Sequence, residues 1–546
     1  MKKAYFQDKY IWLAVILAVT AVAAYFTGLF VDVTRDGSKY AAVAKEVFAS
    51  GDFIHLKVHG EAYEQKPPML FWLSAVSYYV FGVSNYSFKL PLVLLGMLGV
   101  YSIYRLGKSL YSRNTGLLAA LLLGTSQVYF LFYMDIHTDT VLQPFVTFSL
   151  WQLYEFIKTR KNFRFVLGFT GIGLAMLSKG PVGAVVPAFA VLGHLVFTRQ
   201  FKRLFDVRWY LGVIITGIVI IPALAGLYNQ FGWEGIRFYF WSNNVDRMTS
   251  KGGPGKVDYF FYIHNLLYLY IPWMLLLFTS VYFEFRALIR RKFRSREYFL
   301  FSGIWFFFVV LSLSPSKLPN YMFILIPLFS LLTAKYAAIA LSGRKQQLLS
   351  LFITIQQVVA ILVFAVLALL TLYLFPLSNV WQWVLLAILT GIFIYALLPA
   401  HPDFVRLMFP SMAVIIALNF FLNQHAAPQI FSDQASIKAA AYFNEHSGDG
   451  DRIYNYNYDS YELLFYSKKP VTWVYNDVKV IELLKQPGSW IFTEEKVVKR
   501  LEGDFPPPEV IPFSHVWINK LRLSYLNPAT RQKSRDTLYL MRSTAR

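Results

Sequence analysis

At 546 residues, 56% hydrophobic and 18% aromatic, with a mean hydropathy of +0.45, the chain carries more apolar surface than a water-soluble fold of this size can bury. It reads as a polytopic membrane protein. A formal charge of +21 would suggest nucleic acid for a soluble protein, but Lys and Arg gathered in inside loops account for it here, and no nucleic-acid partner is expected. The absence of cysteine excludes a disulfide framework, a thiolate metal site and a lipidated thiol.

In chain order, the basic start "MKK" leads into an apolar run at 11–30. That run is too long for a signal peptide and lacks a small-x-small cleavage site, so an uncleaved first span is expected. Asp36 follows at the water boundary, ahead of a short amphipathic helix bearing Tyr40, Val43, Ala44, Val47 and Phe48. The stretch 67–83 is apolar but short and opens with Pro67 and Pro68, which predicts a juxtamembrane or re-entrant helix. Further spans are expected at 89–107, 115–132, 140–157, 164–178, 181–197, 209–228, 262–286, 298–313, 320–341, 349–374, 380–398 and 404–422, about thirteen in all.

Charge orients the spans. With the N-terminus inside, the inside loops include "RLGKSLYSRN", "KTRKNFR", "TRQFKRLFDVR" and "RALIRRKFRSRE", all basic, while the short outside loops contribute only Lys179 and Lys317. This alternation favours an odd number of spans and sets the region after about 424 outside, on the side of Asp36. From 440 the composition turns polar, and β-rich runs such as "RIYNYN" and "VTWVYN" alternate with helical ones. The expected organisation is a mainly α membrane domain over 1–423, with a first outer loop at 31–88, and a small soluble α/β domain over 424–546.

The ionisable residues near the outside face are Asp36, Lys39, Lys66, Asp135, His137, Asp139, Lys179, Arg247 and Lys317, with Tyr321 close by in sequence to the last. Each has a plain account. Asp36 suits a helix first turn, Lys39 a solvated face, and Lys66 a snorkelling position before Pro67. One of Asp135 and Asp139 caps the following span, His137 is a loop hydrogen-bonder, and Arg247 pairs with Asp246 or a lipid phosphate. Gly180 and Pro181 make a tight helix–helix turn, which leaves Lys179 unexplained. All of these holding together on one face is harder to accept than a site, because charges at membrane depth are costly. Carboxylates among cations suit an anionic leaving group held by Lys and Arg while a carboxylate handles a proton.

Four stretches, in order, resemble the GT-C glycosyltransferases related to protein O-mannosyltransferases and the lipid A aminoarabinose transferase. They are "RDGSKYAAVAKEVFASGDFIHLKVHGEAYEQKPPMLFWLSAVSYYVFG", "HTDTVLQPFVTF", "GLAMLSKGPVG" and "SPSKLPNYMFILIP". The resemblance implies about thirteen spans, a periplasmic C-terminal domain, and inverting transfer of a sugar from a polyprenyl-phosphate donor. It implies Asp36 as catalytic carboxylate and Asp139 as second acidic position. Lys66, Arg247, Lys317 and Tyr321 become the donor phosphate clamp, with Lys39 and Tyr63 close by and Lys179 near the same charge. Gly37 stands where relatives often carry Glu, Gln65 where they carry Glu, and Asn243 where many carry His. Gln and Asn are poor metal ligands, so no metal and no cofactor are expected, although Glu64 beside Gln65 compensates in part. The same departures imply a sugar or acceptor other than aminoarabinose and lipid A.

Two rival classes stay open: a lipid-linked sugar transporter or flippase, and a structural membrane protein with an interaction domain. Charges at one face instead of the midplane, with no broken-helix inverted repeat, speak against the transporter. The acceptor is a glycolipid such as lipid A, a glycan or a protein hydroxyl. A monomer is expected, and the resemblance further implies the bilayer of a bacterial inner membrane.

Overall fold

The computed structural model of the chain describes residues 8–246, 258–292, 297–501 and 508–544. It is mainly helical. Helix α1 (Asp8–Gly28) is followed by α2 (Arg35–Ser50), an antiparallel pair β1 (Lys57–Val58) and β2 (Glu61–Ala62), and α3 (Met69–Phe81). Then come α4 (Asn85–Leu110), α5 (Arg113–Gly124), α6 (Gln127–Met134), α7 (Asp139–Thr159), α8 (Asn162–Lys179) and α9 (Val182–Phe197). After α10 (Arg208–Arg237) and a π turn at Phe238–Asp246 follow α11 (Phe261–Leu269), α12 (Met274–Arg290) and α13 (Phe299–Leu313). A 3₁₀ turn, Pro319–Leu325, enters α14 (Ile326–Ile339), and α15 (Gln346–Leu369), α16 (Val380–Leu397) and α17 (Asp403–Phe421) complete the helical body.

All thirteen expected spans coincide with a helix or an interrupted helix pair. Among the described residues, however, seven helical segments are long and apolar enough to cross a membrane, or eight with the bent pair α5–α6 counted as one. The difference is physical. At 1.5 Å per residue, α9 with 16 residues and α13 with 15 fall short of a hydrocarbon core of about 30 Å. The segment expected at 262–286 is broken between α11 and α12, and α7 carries Asp139, Glu155 and Lys158 along its length.

Two local features set the places of Asp36, Asp139 and Lys179. The amphipathic α2 buries Tyr40, Val43, Ala44 and Val47 and packs on α3. Helices α7 and α8 are neighbours joined by a two-residue link, so the first residue of α7 lies beside the last of α8. There Gly180, at φ 68°, turns the chain with its N–H on the Met176 carbonyl at 2.7 Å. The left-handed backbone explains the glycine.

The C-terminal region holds α18 (Ala435–His446), β3 (Arg452–Tyr456), α19 (Tyr461–Tyr466), β4 (Val471–Val474), α20 (Asp477–Leu484), β5 (Ser489–Glu494), α21 (Glu495–Leu501), β6 (Glu509–His515) and β7 (Asp536–Arg542). The five strands form one mixed sheet in the order β4-β3-β5-β7-β6, parallel across β4-β3-β5 and antiparallel across β5-β7-β6. Trp490, Phe492, Leu538 and Leu540 bury one face in an apolar core continuous with that of the helical body. Tyr454, Val480, Ile491, Val497 and Met541 bury the other beneath α20 and α21. The sequence had indicated the alternating strands and helices up to α21; β6 and β7 come from the structure.

Candidate active site

The loop from α1 to α2 turns at Arg35, which adopts a left-handed φ of 56°. Thr34 is the N-cap residue and Asp36 lies in the first turn of α2. Asp36 is exposed, and its charge reaches Lys39, Tyr63 and His137. Gly37 is buried; a Cβ there would lie 2.9 Å from Val33 Cγ1 and 3.8 Å from Asp135 Oδ1. A larger residue requires Val33 to move, which accounts for glycine at this position.

One turn on, Lys39 donates to Gln65 Oε1 at 2.6 Å. Its ammonium lies 5.4 Å from the Tyr63 ring centre and 5.0 Å from that of Tyr461, a cation–π arrangement. Desolvation lowers the Lys39 pKa, against the opposing pull of Asp36 and Asp459. Tyr63 is buried, and its hydroxyl meets no hydrogen-bond partner among the described residues.

From this segment two adjoining cavities open. The first, about 640 Å³, is lined by Lys66, Asp139, Lys179, Asn243, Ser316 and Tyr321, with Leu142 and Phe307 as apolar wall. The second, about 440 Å³, is lined by Tyr63, Glu64, Lys66, Pro67, Tyr239 and Asn243. Lys66 and Asn243 line both and so form the partition. Asn243 Nδ2 donates to the Gln65 carbonyl at 3.4 Å, and its buried Oδ1 has no partner among the described residues.

Asp139, 1% exposed, accepts hydrogen bonds from Lys179 Nζ at 2.7 and 2.8 Å and from Asn320 Nδ2 at 2.8 Å. The Lys179 ammonium also lies 4.6 Å from the Tyr321 ring centre. Three residues singled out in sequence thus meet in one corner, joined by Asn320, which the sequence had not flagged. Lys317 stands apart: its Nζ lies 5.7 Å from the Tyr259 ring centre and is buried without a hydrogen-bond partner among the described residues. Desolvation lowers its pKa, with Asp258 pulling it back up. Arg247 lies outside the described residues. Among those described, no three His, Asp or Glu side chains gather as metal ligands.

His137 Nε2 lies 3.5 Å from Asp135 Oδ2. Burial alone would lower the His137 pKa, but the Asp135 hydrogen bond and the charges of Asp135, Asp139 and Asp36 outweigh it and raise the pKa overall. The loop ahead of Asp36 is also braced from α4: Lys89 Nζ donates to the Gly28 and Val31 carbonyls at 3.2 and 2.7 Å, and Asn85 Nδ2 to Asp32 Oδ1 at 2.9 Å. A lysine at the very start of an apolar helix was the available sequence signal for Lys89; Asn85 and Asn320 carried none.

Residues 65–225 match the family described as dolichyl-phosphate-mannose-protein mannosyltransferase. An undecaprenyl phosphate-alpha-4-amino-4-deoxy-L-arabinose arabinosyl transferase 2 of Proteus mirabilis is 25% identical over 353 residues, 60% of this chain and 60% of its own. The corresponding transferase of Yersinia enterocolitica is 25% identical over 316 residues, 55% of this chain. The matched stretch spans 54% of the length of the latter. An uncharacterised protein of Aquifex aeolicus is 27% identical over 69% of this chain and 73% of its own. The crystal structure of ArnT from Cupriavidus metallidurans bound to undecaprenyl phosphate superposes with a TM-score of 0.74 at 17% identity, covering 96% of this chain and 98% of the other. The chain thus shares its fold with that structure and resembles these transferases in sequence. In this GT-C fold the C-terminal sheet region is part of the superposed whole, since the match covers nearly the full chain.

Proposed function

We propose that the chain is an inverting membrane glycosyltransferase that moves a sugar from an undecaprenyl phosphate donor to a hydroxyl on a glycolipid such as lipid A, or on another glycan. The observation that carries this reading is an exposed carboxylate, Asp36, in the first turn of a helix. Its charge reaches Tyr63 in the wall of the second cavity, which shares Lys66 with the first, walled also by Lys179 and Tyr321. The acceptor oxygen attacks the anomeric carbon from the face opposite the phosphate. The bond from that carbon to the phosphate oxygen breaks, Asp36 takes the acceptor proton, and undecaprenyl phosphate leaves as the anion. Lys66, with Lys39, Tyr321 and Arg247, offsets the charge that develops on the departing phosphate, while Lys317 is held against Tyr259. Asp139 orients Lys179 at the cavity wall and supports the Tyr321 side of the clamp. The buried Asn243 Oδ1 and Tyr63 hydroxyl are open to sugar hydroxyls, since buried polar atoms seek partners.

The positive-inside pattern of the loops supports a bacterial inner-membrane protein with its cleft and C-terminal region in the periplasm. In that arrangement residues 1–423 form the catalytic body and 424–546 a periplasmic domain, the enzyme acting as a monomer.

The test is transfer of radiolabelled sugar from a pool of undecaprenyl-phosphate-linked donors to a membrane extract, with wild type and Asp36→Asn at equal abundance. Labelling by wild type and not by the variant supports the reading, and the labelled product identifies the acceptor. Equal labelling by both removes Asp36 from the chemistry. Passage of the lipid-linked sugar across vesicles without labelling would replace the enzyme with a transporter.

A further inference from the structure

A short helix of the C-terminal region grips the turn that presents Asp36. Glu462, on α19, accepts the Arg35 N–H on Oε1 at 2.5 Å and is itself buried. The hydroxyl of Tyr466, on the same helix, accepts the Val33 N–H at 2.7 Å and donates to Asn85 Oδ1 at 2.8 Å. In return Lys45, on α2, caps the far end of α19, donating to the carbonyls of Leu464, Phe465 and Ser467 at 2.9, 3.2 and 2.6 Å. A six-residue helix is thus held at both ends by the segment around Asp36, across more than 400 residues of sequence.

The backbone at this contact is unusual. Arg35 is a non-glycine residue at φ 56°, a conformation that persists only where its surroundings impose it. The atom that Glu462 engages is the N–H of that residue, immediately before Asp36. A buried carboxylate is a poor general-purpose adhesive, because an apolar pair would join the two regions without desolvating a charge. It is suited to holding one N–H in one direction.

We propose that Glu462 is a positioning residue for the transfer reaction: it holds Arg35 in the left-handed turn and thereby aims Asp36 at the acceptor. The C-terminal region is then a working part of the active site. The inference rests on the reading of Asp36 as the base, and the variants separate the two.

Full-length protein in proteoliposomes is assayed with undecaprenyl phosphate carrying radiolabelled sugar as donor and a membrane extract as acceptor. Glu462→Ala lowers kcat by about 10- to 100-fold, the scale of a misaimed catalytic group, with the donor KM little changed. Glu462→Gln, which keeps an acceptor oxygen for the Arg35 N–H, retains most of the rate. Adding Arg35→Gly to Glu462→Ala restores part of the lost rate, because glycine adopts the left-handed turn unaided; a role in folding alone predicts no such rescue. Wild-type kcat in Glu462→Ala, or a double variant no faster than Glu462→Ala itself, overturns the proposal. If Asp36→Asn is inactive while Glu462→Ala is fully active, only this inference fails. If Asp36→Asn keeps the wild-type rate, the base reading fails and takes this one with it.

Discussion

Two helices begin on a carboxylate at the same end of the molecule, and the fold treats the two carboxylates in opposite ways. Asp139 opens α7, is 1% exposed, and has its oxygens engaged by Lys179 and Asn320. Asp36 lies in the first turn of α2, exposed, just after a loop whose backbone is braced by α4 and α19 while its own side chain is left open. A carboxylate enclosed by a lysine is a structural charge, since the pair repays its desolvation only through those bonds. A carboxylate facing water has lone pairs available to an incoming hydroxyl. Residue type alone does not distinguish them; what the chain wraps around each does.

The largest effect is expected where the contrast is sharpest. Asp36→Asn lowers the transfer rate by about 10²- to 10⁴-fold and shifts stability by no more than about 0.5 kcal/mol, as at most surface positions. Asp139→Asn does the reverse. It leaves the Lys179 ammonium half-buried and unpaired and destabilises the fold by about 3–5 kcal/mol, read as an earlier denaturant or thermal midpoint in detergent. Combining it with Lys179→Met recovers much of that loss, because neither charge is then stranded. A stable, inactive Asp139→Asn beside an active Asp36→Asn would exchange the two roles.

The cations provide the next test. Lys66 lines both cavities, so Lys66→Met lowers the rate by about 10²- to 10³-fold, the effect of losing one preorganised donor to the developing charge. Lys317 faces the Tyr259 ring instead, and Lys317→Met is worth about 0.5–1 kcal/mol, a cation–π contact. Binding of undecaprenyl phosphate measured beside the rate separates them: comparable losses in both variants would mean that Lys317 swings toward the phosphate when the donor is present.

Why one acid is enclosed and the other open was only partly legible in the sequence. Hydropathy located the helices because period and apolarity are local properties. Among the helices it located, α9 and α13 are short, at 16 and 15 residues, a detail that apolarity alone does not reveal. The "SKGP" turn identified Lys179 as unexplained, and the structure supplies the reason in Asp139, 40 positions earlier. No local pattern links Asn320 to that pair or Glu462 to Arg35, since each depends on where distant elements dock. Strand β6 escaped because it includes Pro512 and is half exposed along its length, so it lacks the nearly continuous buried run of β3 and β5.

The smallest effect concerns His137, which senses the charge of both acids. Its pKa is raised although burial pulls it down, because the Asp135 hydrogen bond and the charges of Asp135, Asp139 and Asp36 prevail. A histidine whose folded pKa exceeds its unfolded value of about 6.5 adds stability that is fully present below that value and is lost as pH rises through the folded pKa. The midpoint of thermal unfolding should therefore fall slightly as pH climbs from about 6 toward 8, and His137→Gln should flatten that slope. The gain is under about 1 kcal/mol, since Asp135 is half exposed and the pair is screened by solvent. Following the imidazole by NMR ranks the contributors: Asp135→Asn lowers its pKa more than Asp36→Asn does, because only Asp135 makes the hydrogen bond. An imidazole that titrates at its ordinary value in the wild type would mean that the acids do not converge on this loop. The contrast between an enclosed Asp139 and an open Asp36 would then have to be redrawn with Asp36 further from the cleft.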